Sequence, residues 1–137
     1  MAFWIFLVAC NMLIPVIMII FGKIFENKVP KRINNFYGYR TSMSRKNQDT
    51  WEFAHKCCGR LWKKVGLIMS VVTLILTVVS FTLSEDMQGI VCGIIVTIQT
   101  IVLIGSIFPV EKALKKNFDK NGYRNTEYSK NTVDREK

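Results

Sequence analysis

Three stretches of this 137-residue chain, 2–22, 65–84 and 87–110, contain no charged side chain. Each reaches the ~20 residues that a helix needs to cross ~30 Å of hydrocarbon. A helix packed in a soluble core keeps a polar stripe for water, and these three runs have no charges from which to build one. The expected fold is therefore all-α: an integral membrane protein with three transmembrane helices. One membrane domain over 1–114 would hold the spans and the connecting loop 23–64. The segment 115–137 alternates charge and Asn with little apolar content, and is expected to be a disordered tail after a short helical extension.

Charge placement sets the expected orientation. The loop 23–64 carries eleven basic residues against Glu26, Asp49 and Glu52, whereas the link between the second and third runs carries only Glu85 and Asp86. Basic residues in short loops are retained on the cytoplasmic side, so the loop and the C-terminal tail are expected inside and the N-terminus outside. The first run lacks a basic n-region and a small-x-small cleavage site, and is read as a retained anchor rather than a signal peptide. The net charge of +9 is read as attraction to anionic lipid headgroups rather than direct nucleic-acid binding, because the basic residues flank the spans.

Catalytic and cofactor chemistry find little support. His55, Cys57 and Cys58 crowd one helical turn and fall short of the four ligands of a structural zinc site, so no metal and no cofactor are expected. No spacing suggests a catalytic triad or a phosphate-binding glycine loop, and the spans contain no carboxylate for a proton relay. The chain reads as non-enzymatic.

The spans do carry polar residues. Ser70, Thr73, Thr77 and Ser80 recur at three- and four-residue spacing in the second run, and Gly89, Gly93, Thr97 and Thr100 do so in the third. Small residues allow close backbone approach, and hydroxyls bond across the gap. Two arrangements fit: spans two and three packed face to face, or a homodimer joined through Gly89–Gly93. In the first run Pro15 lacks the N–H that would bond the Asn11 carbonyl, and a kink is expected there. Asn11 and Gln99 then lie at similar depth and should point inward to partners, either as interhelical glue or as a polar docking spot.

The loop has its own pattern. Pro30 ends any extension of the first helix, Gly38 permits a conformation closed to other residues, and Ser44 or Asn47 can cap a helix start. From there Trp51, Ala54, His55, Cys58, Leu61 and Trp62 share one helical face. This predicts an amphipathic helix at the cytoplasmic membrane surface that runs on, or bends, into the second span.

The sequence Asn34-x-x-x-Gly38-x-Arg40-Thr41-x-x-Ser44, then Trp51-x-x-Ala54 and Gly59-Arg60, followed by an apolar span, resembles the SdpI family of small bacterial membrane proteins. The resemblance implies a multi-pass protein of the bacterial cell membrane that confers immunity to a secreted, membrane-active peptide toxin. It also implies a signalling alternative, in which the protein tethers a cytoplasmic transcriptional repressor at the membrane. A third alternative is a subunit of a small dimeric transporter. On the first reading Gly38 and Ser44 shape the loop, Trp51 anchors its helix, and Arg40 makes the contact, since a guanidinium suits a carboxylate or a phosphate.

Overall fold

The structure is a computed structural model and describes residues 1–125. Among these, four helices follow in order: α1 (Ala2–Asn27), α2 (Gln48–Ser80), α3 (Glu85–Gly105) and α4 (Ile107–Asn117). Three helical segments, Ala2–Asn27, Gln48–Ser80 and Glu85–Asn117, are long and apolar enough to cross a membrane. Their outward faces carry exposed Phe6, Leu13, Leu67, Ile75, Ile94 and Ile101, side chains that water would reject and lipid accepts.

The segment before the second span is not a separate helix: it runs on without a break into the span as α2. Asn47 starts α2 with a capping box: the Thr50 N–H donates to Asn47 Oδ1 at 2.9 Å, and the Asn47 N–H donates to Thr50 Oγ1 at 3.1 Å. From there to Ser80 no proline interrupts the ladder, so the helix runs for 33 residues, ~50 Å at 1.5 Å per residue. That exceeds the ~30 Å of hydrocarbon, and the half before Val65 projects beyond it. Trp51, Ala54, His55 and Cys58 on this half are fully buried. Their face is covered by α1, the loop and α4 rather than by lipid headgroups.

The helices meet differently from the expected hairpin of spans two and three. The extensive contact is between α1 and α2, with a smaller one between α1 and α3. Its closest points are three glycines: Gly22 in α1, and Gly59 and Gly66 in α2, the last one turn before the Ser70–Ser80 stripe. A Cβ on Gly59 would lie 2.6 Å from the Glu26 backbone nitrogen, one on Gly22 2.7 Å from that of Lys63, and one on Gly66 3.0 Å from the Pro15 carbonyl. By contrast, a Cβ on Gly89 or Gly93 would meet nothing within 4 Å. These two glycines therefore do not seat α3 against α2. Lys63 and Glu26 close the α1–α2 seam with an ion pair.

At Ser106 the third helix resets. Pro109 has no N–H for the Gly105 carbonyl, so the ladder cannot continue unchanged. Past this break α4 turns Val110 and Leu114 into a cluster with Phe25, Tyr39, Met43, Ala54, Cys58 and Phe118. The helix continues past Lys115 to Asn117, and the described chain runs on to residue 125. Phe118 is 2% exposed and packs edge-on against Phe53 at 5.4 Å. Asp119 Oδ1 then accepts from the N–H groups of Asn121 and Tyr123, and Asn47 Nδ2 donates to the Gly122 carbonyl at 2.6 Å. Phe118 and the Asn47 bond together hold this turn against α2. The remainder of the expected tail, 126–137, lies outside the described residues.

Candidate functional site

Two polar constellations stand out, one in the loop and one between the spans. In the loop, Asn34 Oδ1 accepts from the N–H groups of Phe36 and Tyr37 at 3.0 and 3.1 Å, forming an Asx-type turn. Gly38 follows with φ +117, and a Cβ there would sit 2.3 Å from His55 Nε2. Glycine is thus required twice, by backbone angle and by space. The turn delivers the Tyr39 N–H to His55 Nε2 at 3.0 Å. His55 Nδ1 bonds the Trp51 carbonyl at 2.7 Å. A carbonyl only accepts and an amide only donates, so the proton sits on Nδ1 and the ring is neutral. Burial lowers the His55 pKa, against the opposing pull of the Trp51 carbonyl.

Further bonds pin the loop. Trp51 Nε1 donates to the Pro30 carbonyl at 2.9 Å. The Thr41 N–H donates to Ser44 Oγ at 2.9 Å and the Ser44 N–H to Thr41 Oγ1 at 3.2 Å, while Thr50 Oγ1 donates to the Ser44 carbonyl at 3.2 Å. Tyr39 is 7% exposed, and its hydroxyl lies 3.2 Å from the Ile107 carbonyl and 3.1 Å from Glu111 Oε1. Burial, reinforced by the Glu111 charge, drives its pKa far above the ordinary phenol value. Trp62 Nε1 donates to Ser106 Oγ at 2.8 Å, so α2 and the loop are both bonded to the α3–α4 junction. Burial pushes the Cys58 thiol up to about 12; the group is inert while covered.

Of the loop residues singled out in the sequence, Asn34, Gly38, Thr41, Ser44 and Trp51 are joined in this network. Ala54 packs in the cluster beneath, Gly59 lies in the α1–α2 seam, and Arg60 is exposed with its Nε toward the Lys56 carbonyl at 3.3 Å. Arg40 differs from all of them. It is exposed and makes no hydrogen bond or ion pair among the described residues. Beside it opens a cavity of about 390 Å³ lined by Ile17, Phe21, Tyr39, Trp62 and Ile107, among others.

Between the spans, Gln99 Nε2 donates to the Asn11 carbonyl at 3.0 Å and to Thr73 Oγ1 at 2.8 Å. The first is the carbonyl that Pro15 leaves without a helical donor, so a side chain of α3 replaces the lost backbone N–H. Asn11 Nδ2 donates to Thr77 Oγ1 at 3.3 Å, and Cys92 Sγ donates to Asn11 Oδ1 at 3.1 Å. Thr73, Thr77 and Ser80 are all buried. Ser70 only bonds back to the Gly66 carbonyl, and Thr97, which is exposed, bonds back to that of Gly93. Gln99 Oε1 is buried with no partner among the described residues.

Sequence reasoning passed over His55, Tyr39 and Glu111, which tie the loop to α2 and α4. The sole sequence signal for His55 was its position on the buried face with Trp51 and Cys58.

Residues 31–110 match the sequence model of the SdpI/YfhL protein family. The chain belongs to this family. The match takes in the loop, α2, α3 and the first residues of α4. No curated protein and no solved structure matches the chain. The SdpI/YfhL segment does not contain α1, yet α1 supplies Gly22, Phe25 and Asn11 to the contacts just described.

Proposed function

We propose that this SdpI/YfhL protein protects the cell against a membrane-active peptide toxin, with the Asn34–Arg60 loop as its working element. It would sit in a bacterial cell membrane with the N-terminus outside and 23–64 and the C-terminal segment in the cytoplasm, as the basic loop favours. The observation that carries the reading is Arg40: an exposed cation without a partner among the described residues, at the rim of a cavity and held between Tyr39 and Thr41, whose N–H groups are both bonded. A side chain with no internal bond to lose is free to meet another molecule. The toxin would be met within the bilayer, at the edge of the cavity beside Arg40. The test is survival of a toxin-sensitive bacterium expressing the natural protein or Arg40→Ala at equal membrane levels. Protection lost in the variant is the expected result; protection retained rejects Arg40 as the contact.

A tether for a cytoplasmic regulator is the second reading. It is favoured by the projecting half of α2, which presents exposed Lys56, Arg60 and Lys64. There a soluble partner should copurify, and Lys56→Glu with Arg60→Glu should release it. Copurification unchanged by both charge reversals counts against this surface.

A further inference from the structure

We propose that the cavity beside Arg40 is a binding site for one anionic phospholipid, with the phosphate on the Arg40 guanidinium and an acyl chain between Ile17, Phe21, Trp62 and Ile107. The inference goes beyond toxin protection and stands without it. Its first support is the composition of the wall. Among the described residues lining the cavity, Arg40 is the one formal charge and there is no carboxylate. Thr41 lines the same cavity, and its hydroxyl keeps a proton to donate while accepting the Ser44 N–H. A guanidinium presents paired N–H donors that fit phosphate oxygens, and here none of them is already engaged within the described residues.

Position in the bilayer is the second support. Ile17 and Phe21 belong to the uncharged run 2–22 and are 41% and 38% exposed, so that side of the cavity opens to hydrocarbon. The first charge of α1, Lys23, follows two residues after Phe21. The cavity therefore crosses from acyl-chain depth to the level of the headgroups, with its apolar wall below and its cation above. A phospholipid has the same division of apolar and charged parts, whereas a free phosphate has no use for the lower half. Opposite charge selects the headgroup: phosphatidylglycerol keeps a net negative charge, and phosphatidylcholine cancels its own.

The experiment is native mass spectrometry of the full chain released from detergent, titrated with phosphatidylglycerol or phosphatidylcholine of identical acyl chains and with no toxin present. The natural protein should retain phosphatidylglycerol in preference. Arg40→Ala should weaken that binding about tenfold, as loss of a charge-assisted hydrogen bond does. Ile107→Trp, which fills the chain-binding part while leaving Arg40 in place, should weaken it as well. Equal retention of the two lipids, or phosphatidylglycerol binding unchanged in Arg40→Ala, overturns the proposal. Competition by glycerol phosphate as strong as that by the whole lipid overturns the role of the apolar wall. Lipid retention without protection would reject the toxin reading alone, and Arg40-dependent protection without lipid selectivity would reject the lipid site alone.

Discussion

Replacing Gly38 by Ala tests whether the loop is held down through His55. The methyl group introduces two costs that can be worked from the geometry. At φ +117 an L side chain is strained, by ~1–3 kcal/mol for a residue forced into such a region. The new Cβ would also stand 2.3 Å from His55 Nε2, and the imidazole cannot retreat without leaving the Tyr39 N–H. Separating them leaves a buried donor and acceptor unmatched, which costs ~1–3 kcal/mol. The two terms share one relaxation, so they do not simply add; a loss of ~2–5 kcal/mol in docking of the loop is expected.

Cys58 reports on that docking. It is fully buried in the cluster that includes Tyr39, and its thiol is held protonated there by burial. With Cys10, Cys57 and Cys92 replaced, alkylation of Cys58 measures transient opening. A loss of ~2 kcal/mol at the lower bound speeds labelling about thirtyfold. The double variant Gly38→Ala with His55→Ala removes the clash while keeping the backbone strain. It should be less destabilised than the sum of the single changes. Labelling of Gly38→Ala at the natural rate would refute the steric reasoning outright, and strict additivity in the cycle would show that the added methyl group and His55 do not collide.

The other expectations follow from the same contacts. Gly59→Leu should lower the thermal midpoint in detergent sharply, by ~1–3 kcal/mol or more of overpacking against the α1 backbone, whereas Gly93→Leu should leave it unchanged; equal effects would reject the α1–α2 seam. Gln99→Leu should cost ~1–3 kcal/mol by leaving the Asn11 carbonyl unpaired. Adding Pro15→Ala, which restores a helical N–H to that carbonyl, should recover part of the loss, and no recovery in thermal unfolding would remove the proposed replacement bond. His55 gives a pH dependence whose sign is fixed by its lowered pKa. The released loop takes up a proton below the ordinary value of 6.5 before the docked form does, so docking is complete above that pH and weakens as pH falls through it. Thermal midpoints at pH 5.5 and 7.5 should differ for the natural protein and coincide for His55→Gln.

How much of this was legible in the sequence depended on the kind of signal. Span existence follows from runs without charge, a property of each segment alone, and the three helices came from it directly. Loop turns were legible for a similar reason: Gly38 and Asn47 act on backbone within a few residues, and each sits where its local chemistry is needed. The helix seam was not legible. Gly22 stands alone in α1 and its partners Gly59 and Gly66 are seven apart in α2, a pair that shares a face without the GxxxG spacing, while Gly89–Gly93 has that spacing and meets no backbone within this chain. Spacing identifies a smooth helix face; it does not say which neighbour meets that face.

The same distinction explains why His55 was missed and why it matters. Its role arises from three separate stretches: a positive-φ glycine in the loop, a carbonyl one turn earlier in α2, and the Phe25 ring of α1 at 5.1 Å. Tyr39 then passes the constraint on to α4 through the Ile107 carbonyl and Glu111. The α3–α4 junction is therefore bonded to α2 through Trp62 and to the loop through Tyr39. Arg40 follows Tyr39 directly, so its guanidinium, exposed and unbonded among the described residues, stands on a backbone that is held. That arrangement favours selective binding: the backbone beside Arg40 is already ordered, and capture of a ligand has chiefly the freedom of one side chain to restrict.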